Sequence, residues 1–300
     1  MIESKPFSDL LEFINKGEVS ALPAPSKTIK PQSFRQRYGI CAIIPAYNEG
    51  RTIGLVIRET MQYVDKVFVI DDCSNDNTAM VAAISGAEVV RHTTNMGPGA
   101  ALCSGCKAAI ANGFQYVVQV DADGQHDPKY IPEMFSIAKD CDMVIGSRFL
   151  NGSYRKYPFI RRLGISFFTR LVNLLTGIKV TDVTSGYRVF RTESLLRLSP
   201  VPNRHWAVAQ TMEAGRKGLK IKEVSTEMPL RGQGHSQFSL KAYILYPLRV
   251  GWVVVKMSLS RQTSGPVWEG GRLSGGKEPS RRVFKYFPLK FAAYARNVLS

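Results

Sequence analysis

No stretch of the 300-residue chain supplies the roughly twenty consecutive uncharged apolar positions that a bilayer-spanning helix needs. The nearest approach, residues 242–259, is broken by Pro247, Arg249 and Lys256 and reads as a surface or core helix. A disulfide framework is excluded by number and placement. The five cysteines (Cys41, Cys73, Cys103, Cys106 and Cys141) are scattered through apolar segments and suit a reducing compartment. Cys103 and Cys106 have redox spacing, but with no second pair nearby they read as small side chains of a helical stretch. The N-terminus shows no charged segment followed by an apolar core and a small-residue cleavage site, so a cytoplasmic chain is expected. There is no internal repeat, and no G-x-G-x-x-G follows any strand. Gly97-Pro-Gly99 is not that fingerprint, which removes a nicotinamide oxidoreductase from consideration.

What the chain does have is enough apolar residue, 44%, for a globular core, and a charge of +16 that is unevenly spread. Residues 39–147 carry 7 Lys and Arg against 13 Asp and Glu, whereas residues 148–191 carry 9 against 1 and residues 249–300 carry 10 against 2. An acidic half suits a divalent cation; a basic half suits phosphate or an anionic bilayer. Nucleic acid is not expected as a partner, because the basic residues lack an interleaved motif and the acidic half would repel phosphate.

From residue 38 to 146, apolar runs of strand length (40–44, 67–70, 89–90, 116–120, 143–145) alternate with segments of helical length (52–64, 76–85, 99–112, 128–139). This predicts a parallel sheet covered by helices, with ligands beyond the carboxyl ends of the strands. Beyond it come a basic amphipathic helix over 159–175, a loop entering a strand over 182–191, a helix over 207–217 and a strand over 219–227. Residues 1–38 read as a loose leader with a short helix, 39–240 as the main domain divided at 147, and 241–300 as a basic helical extension with a flexible linker over 260–282.

Polar clusters stand at the strand ends. Pro45-Ala-Tyr-Asn-Glu49 follows the first, where proline is expected to end the strand and Tyr47 and Glu49 offer an aromatic face and a carboxylate to a base and ribose. Asp71-Asp72-Cys-Ser-Asn-Asp76 follows the second, with Asp76 open to reading as a helix cap or a functional group. Asp121-Ala-Asp123-Gly-Gln125-His126-Asp127 follows the fourth. Its hard oxygen ligands suit Mg²⁺ or Mn²⁺ with positions left for phosphate oxygens, and Asp127 before Pro128 is also a helix cap. Gly146-Ser-Arg148 and Asp182-Val-Thr-Ser-Gly-Tyr-Arg188 pair hydroxyls with arginines, a combination that binds phosphate. Arg231-Gly-Gln-Gly-His-Ser236 is a glycine turn able to close over a diphosphate.

These motifs, in this order over residues 40–240, resemble the family 2, A-type inverting glycosyltransferases, and within them the dolichyl-phosphate or polyprenyl-phosphate mannosyl- and glucosyltransferase branch. The resemblance implies a GT-A fold, a Rossmann-like, mostly parallel α/β sheet flanked by helices. It also implies transfer of one hexose from a GDP-mannose or UDP-glucose type donor to a polyprenyl phosphate; residues 242–259 and the basic tail suggest peripheral contact with the cytoplasmic membrane face. It assigns Pro45, Tyr47, Glu49, Asp72 and Asp121 to the donor nucleotide, and Asp121, Asp123 and Gln125 to Mg²⁺ or Mn²⁺. Arg148, Ser185 and Arg188 go to the acceptor phosphate or diphosphate; from the residues themselves, Arg231 and Ser236 of the glycine turn are expected to join them, and Asp123, Asp182 and Arg188 are the candidates for catalysis. The chain departs from the pattern at Cys73 and Asn77, where the family commonly has glycine, and at Gln237, where it often has lysine. The Gln-x-x-Arg-Trp signature of processive synthases is absent, Arg204-His-Trp206 being a faint echo. A phosphate oxygen is already anionic near neutral pH, so such an acceptor needs positioning more than a base, with Asp182 as an orienting group. A sugar-hydroxyl acceptor would instead make Asp182 the first candidate base. A nucleotidyltransferase is the alternative of another class, but it would carry a glycine-rich, basic phosphate loop after the first strand, where Tyr47-Asn-Glu49 stands.

Overall fold

Short runs rich in Val and Ile, each closed by polar residues, become strands because branched side chains pack well on a pleated, buried surface. The computed structural model describes residues 39–228 apart from Arg204, together with Gly251 and Val254. Seven strands form one sheet: β1 (Ile40–Ala46), β2 (Lys66–Asp71), β3 (Glu88–Arg91), β4 (Tyr116–Gln119), β5 (Met143–Ser147), β6 (Arg188–Arg191) and β7 (Ile221–Ser225). Their order is β3-β2-β1-β4-β6-β5-β7. All neighbours pair in parallel except β6, which runs antiparallel to both β4 and β5.

The orientation of β6 fixes where the site is. Because it runs against its neighbours, with Gln119 opposite Arg188, the residues that precede it arrive at the same rim that β4 and β5 leave. Pro45 differs from expectation: it lies inside β1, paired in register with Ile70, and does not end it. It is tolerated because pairing of β1 with β4 runs only from Ile40 to Ile43, so no ladder partner awaits the missing N–H at position 45.

One face of the sheet is covered by α1 (Ile53–Thr60) and α4 (Ile131–Ala138), whose Ile53, Ile57, Met134 and Phe135 pack on Ile44, Val69 and Val118. Against the other face lie α3 (Pro98–Ala111), α5 (Phe159–Thr176) and α7 (Trp206–Arg216), through Leu102, Cys106, Phe168, Val172, Val208 and Met212. Two further α-helices are α2 (Thr78–Ile84) and the short α6 (Thr192–Leu196). Helix α3 lies close on the strands because Gly105 lacks a side chain: a Cβ there would stand 2.9 Å from Ile70 Cδ1 and 3.0 Å from Ile43 Cβ. The cysteines are all unpaired, and burial pushes the Cys41 and Cys106 thiols well up, so these two act as small apolar fillers.

Helix α5 is apolar on two sides. Ile165, Phe168 and Val172 are buried, while Phe159, Ile160, Leu163, Phe167 and Leu174 are each more than half exposed. No helix among the described residues is long and apolar enough to cross a membrane.

Candidate active site

The turn after β1 is stitched to the turn after β2. Asn48, at φ 55°, donates its N–H to Ser74 Oγ (2.9 Å), and its Oδ1 accepts from the Asn75 N–H (2.9 Å). The Glu49 N–H donates to Thr78 Oγ1 (2.8 Å) and the Gly50 N–H to Asp76 Oδ2 (3.0 Å). Asp76 also accepts from the Thr78 N–H and hydroxyl. Partial burial pulls its carboxyl upward, but these donors from Thr78 and Gly50 hold it below the ordinary value. Asp76 is therefore a tie between two loops, and Asn77 occupies the N-cap position of α2. Cys73, where the family commonly has glycine, has φ 63°, in the left-handed region that favours glycine. The ring of Tyr47 is 41% exposed at this rim and Pro45 is half-buried beside it.

Asp71 and Asp72 tolerate adjacency because each has its own donors. Asp71 accepts from the Ser74 N–H (3.1 Å) and pairs with Arg91 Nε at 3.1 Å. The buried Asp72 accepts from His92 Nδ1 (2.7 Å) and from the backbone N–H groups of Met96 (2.8 Å) and Gly97 (2.7 Å). Both Asp72 oxygens are thus committed to holding the approach to α3, whose first turn is also capped by Asn203. The Asn203 Oδ1 accepts from the Ala100 N–H at 3.0 Å.

The turn after β4 is more open. Asp121 has a side chain 41% exposed, and Asp123 and Gln125 are half-buried. Asp123 Oδ1 accepts from the Gln125 N–H (3.0 Å), which curls the turn through Gly124 at φ 76°. His126 is buried; its Nδ1 accepts from the Asp121 N–H (3.0 Å) and its Nε2 stands 3.5 Å from Asp121 Oδ2. Burial lowers its pKa to about 4, with Asp123 opposing and Arg148 adding to the effect. Asp127 caps the following turn as its place before Pro128 predicts, accepting from the Lys129 N–H at 3.0 Å. Among the described residues no three His, Cys, Asp or Glu side chains come together as a ready-made metal cage. Two carboxylates at one open turn fit a hard cation that takes its remaining ligands from phosphate and water.

The loop before β6 reaches this turn. A Cβ added to Gly186 would stand 3.4 Å from Asp121 Oδ2 and 3.1 Å from the Trp206 ring. Behind it, Asp182 and Arg148 form a buried bidentate pair (Nε–Oδ2 2.6 Å, Nη2–Oδ1 2.8 Å), and Arg148 also donates to Thr184 Oγ1 (2.6 Å). Burial would raise the Asp182 carboxyl, but Arg148 and Thr184 hold it below its usual range. Arg188 is fully buried and donates to the carbonyls of Ser185 (2.9 Å) and Ala207 (2.8 Å), to Gln210 Oε1 (2.8 Å) and to Thr211 Oγ1 (2.9 Å). Burial lowers its pKa to about 9, with Asp182 and Asp121 opposing.

Asp182 is buried against Arg148, and Arg148 and Arg188 direct guanidinium donors to acceptors inside the protein. Buried Ser185 turns its Oγ to the Tyr187 N–H (3.3 Å). All four build the loop that carries Gly186. Asp72 likewise shapes a loop. Arg231 and Ser236 lie outside the described residues. Sequence reasoning missed Glu223, which accepts from the backbone N–H groups of Thr181 (2.7 Å) and Asp182 (3.0 Å) and so anchors the start of this loop. A lone glutamate on a strand gives no signal of that. In the sequence, Trp206 stands out only as part of a faint signature.

Residues 41–198, just over half of the chain, match the family described as Glycosyl transferase family 2. The undecaprenyl-phosphate mannosyltransferase of Micrococcus luteus is 32% identical over 213 residues, covering 67% of this chain and 87% of that protein. The polyprenol monophosphomannose synthase of Mycolicibacterium smegmatis is 30% identical, covering 70% and 84% respectively. Among solved structures, glucosyl-3-phosphoglycerate synthase of Mycobacterium tuberculosis, crystallised with Mn²⁺, uridine diphosphate and phosphoglyceric acid, superposes with a TM-score of 0.58 at 21% identity. The match covers 76% of this chain and 81% of that one, a likeness of the GT-A fold. A sheet of this order, a rim carrying carboxylates after β1, β2 and β4, and relatives at this identity make the chain a member of glycosyl transferase family 2.

Proposed function

We propose that the protein transfers one hexose, with inversion, from a GDP- or UDP-sugar to a polyprenyl phosphate at a membrane surface. The observation that carries this is the closeness of the partly exposed Asp121 carboxylate to Gly186, where an added Cβ would stand 3.4 Å from Oδ2, which brings the turn after β4 and the loop before β6 to one surface. Pro45, Tyr47 and Glu49 are assigned to the base and ribose. Asp121 and Asp123, with Gln125 beside them, would hold Mg²⁺ or Mn²⁺, which when bound supplies positive charge against a departing nucleoside diphosphate.

The burial of Asp182 favours a phosphate acceptor over a sugar hydroxyl. A hydroxyl needs a base within hydrogen-bond reach, and Asp182 is closed off by Arg148. A phosphate oxygen attacks already ionised, so the protein's part is to hold it in line with the anomeric carbon. With Arg148 and Arg188 engaged, Arg231 and Ser236 are the proposed contacts to the acceptor or diphosphate. The mannosyltransferase and synthase relatives, by name acting on undecaprenyl phosphate and polyprenol, support the lipid acceptor. The exposed apolar stripe of α5, set in a segment of 9 basic residues against 1 acidic, supports contact with an anionic bilayer.

The test is a screen of GDP- and UDP-sugars with Mn²⁺ or Mg²⁺ against polyprenyl phosphate in vesicles, with products identified by mass. A lipid phosphate carrying one hexose is expected, and Asp123→Asn should lower its formation by about 100-fold or more, the scale of losing charge stabilisation at a leaving group. Hexose found only on soluble hydroxyl acceptors would overturn the acceptor assignment.

A further inference from the structure

One imidazole accepts from the Asp121 backbone and lies beside its carboxylate. The Asp121 N–H donates to His126 Nδ1 at 3.0 Å, so Nδ1 is the acceptor and the ring proton resides on Nε2. That Nε2 stands 3.5 Å from Oδ2 of the same aspartate, longer than an ordinary hydrogen bond and near enough for its N–H dipole to act on the carboxylate. The ring itself is fixed. It is 4% exposed and stacks on Tyr187, with centroids 4.8 Å apart and planes within 9°. Tyr187 is anchored in turn by donating its hydroxyl to the Asp127 carbonyl at 2.9 Å. Its neighbour in the chain is Gly186, where an added Cβ would stand 3.4 Å from Asp121 Oδ2.

We infer that His126 is a positioning residue that sets the Asp121 carboxylate toward the donor diphosphate and its cation, with Tyr187 clamping the ring so that the loop before β6 shares the setting. This rests on the assignment of Asp121 to the diphosphate made above. A plain packing role would need a flat group on Tyr187 and an acceptor for the Asp121 N–H; it would need no donor at Nε2. Asparagine separates the two roles, because its side-chain oxygen replaces Nδ1 and nothing replaces Nε2.

The experiment titrates GDP and UDP into the full chain by calorimetry, with Mn²⁺ and with EDTA, alongside urea unfolding. His126→Asn should unfold near the parental midpoint and bind the nucleotide in EDTA as the parent does. It should lose about 10- to 100-fold of the affinity that Mn²⁺ adds, the usual cost of removing an orienting partner. Asp121→Asn should lose that gain as well. If Asp121→Asn loses it while His126→Asn keeps it, the positioning role falls and the donor-site assignment stands. If Asp121→Asn keeps it, the donor-site assignment itself falls. Should His126→Asn fail to fold, the parental protein decides by the ¹⁵N resonances of its imidazole on saturation with Mg²⁺ and GDP. Movement of Nε2 with Nδ1 unchanged supports the inference, and an unmoved Nε2 overturns it.

Discussion

Arg148 and Asp182 are both buried, and each is tolerable only because of the other. Removing two charges from water costs several kcal/mol apiece, and the short bidentate contact with the added Thr184 bond offsets this only while both partners are present. Arg148→Met, which keeps the bulk and removes the charge, leaves a carboxylate buried without its cation. It should destabilise the protein by about 3–5 kcal/mol in urea unfolding, and Arg148→Met with Asp182→Leu should recover much of that loss. The pH dependence has a definite sign. The Asp182 carboxyl lies below its ordinary 3.8 in the folded chain, so its contribution is complete above that value and disappears as pH falls through the lower, folded value. The urea midpoint of the parent should therefore decline as pH drops below about 4, and that decline should be shallower in the double variant. A midpoint equally acid-sensitive in both would mean that other carboxylates dominate.

At the scale of elements, the strands and helices were legible because their signals are local: short β-branched runs, helical-length segments, and the Asp127-Pro128 cap. The site was legible only as a set of strand ends. Asp72, Asp76 and Asp182 look in sequence like ligand-binding carboxylates, yet backbone N–H groups or a distant arginine claim them. Nothing local distinguishes a carboxylate spent on its own fold from one facing a ligand, and the partners of Asp182 and Arg148 lie 34 residues apart. The antiparallel β6 was also illegible, because a four-residue strand carries no mark of direction, and its direction is what delivers Gly186 to Asp121. Helix α5 is the reverse case, a readable basic amphipathic stretch whose second apolar side appears only once its first is buried. Replacing both Leu163 and Phe167 by Glu should change stability by less than about 0.5 kcal/mol each, as both are exposed. It should nevertheless lower co-flotation with anionic vesicles several-fold. Unchanged flotation would remove α5 from the membrane contact.

Across the whole molecule, the sheet order brings the ends of β1, β2 and β4 side by side, since β1 lies between the other two and all three run parallel. The acidic strand ends come from residues 39–147, and the basic excess begins at 148, so one chain divides its charge between an acidic rim, the proposed cation site, and a basic segment, the proposed bilayer contact. The two fields answer differently to salt. Attraction between exposed basic side chains and a lipid surface acts over a Debye length of about 10 Å at 0.1 M salt and about 3 Å at 1 M. On the proposed assignment, a cation held by Asp121 and Asp123 against a diphosphate would act at contact distance and be screened far less. Raising salt from about 0.1 M to about 1 M should therefore sharply reduce hexose transfer to polyprenyl phosphate in anionic vesicles. Binding of GDP or UDP with Mn²⁺ should change much less, and transfer to the same acceptor in neutral detergent micelles should change little. If vesicle and micelle rates fall together, the basic half acts at the site itself and not on the bilayer, and the acceptor phosphate becomes the place to look for its cations.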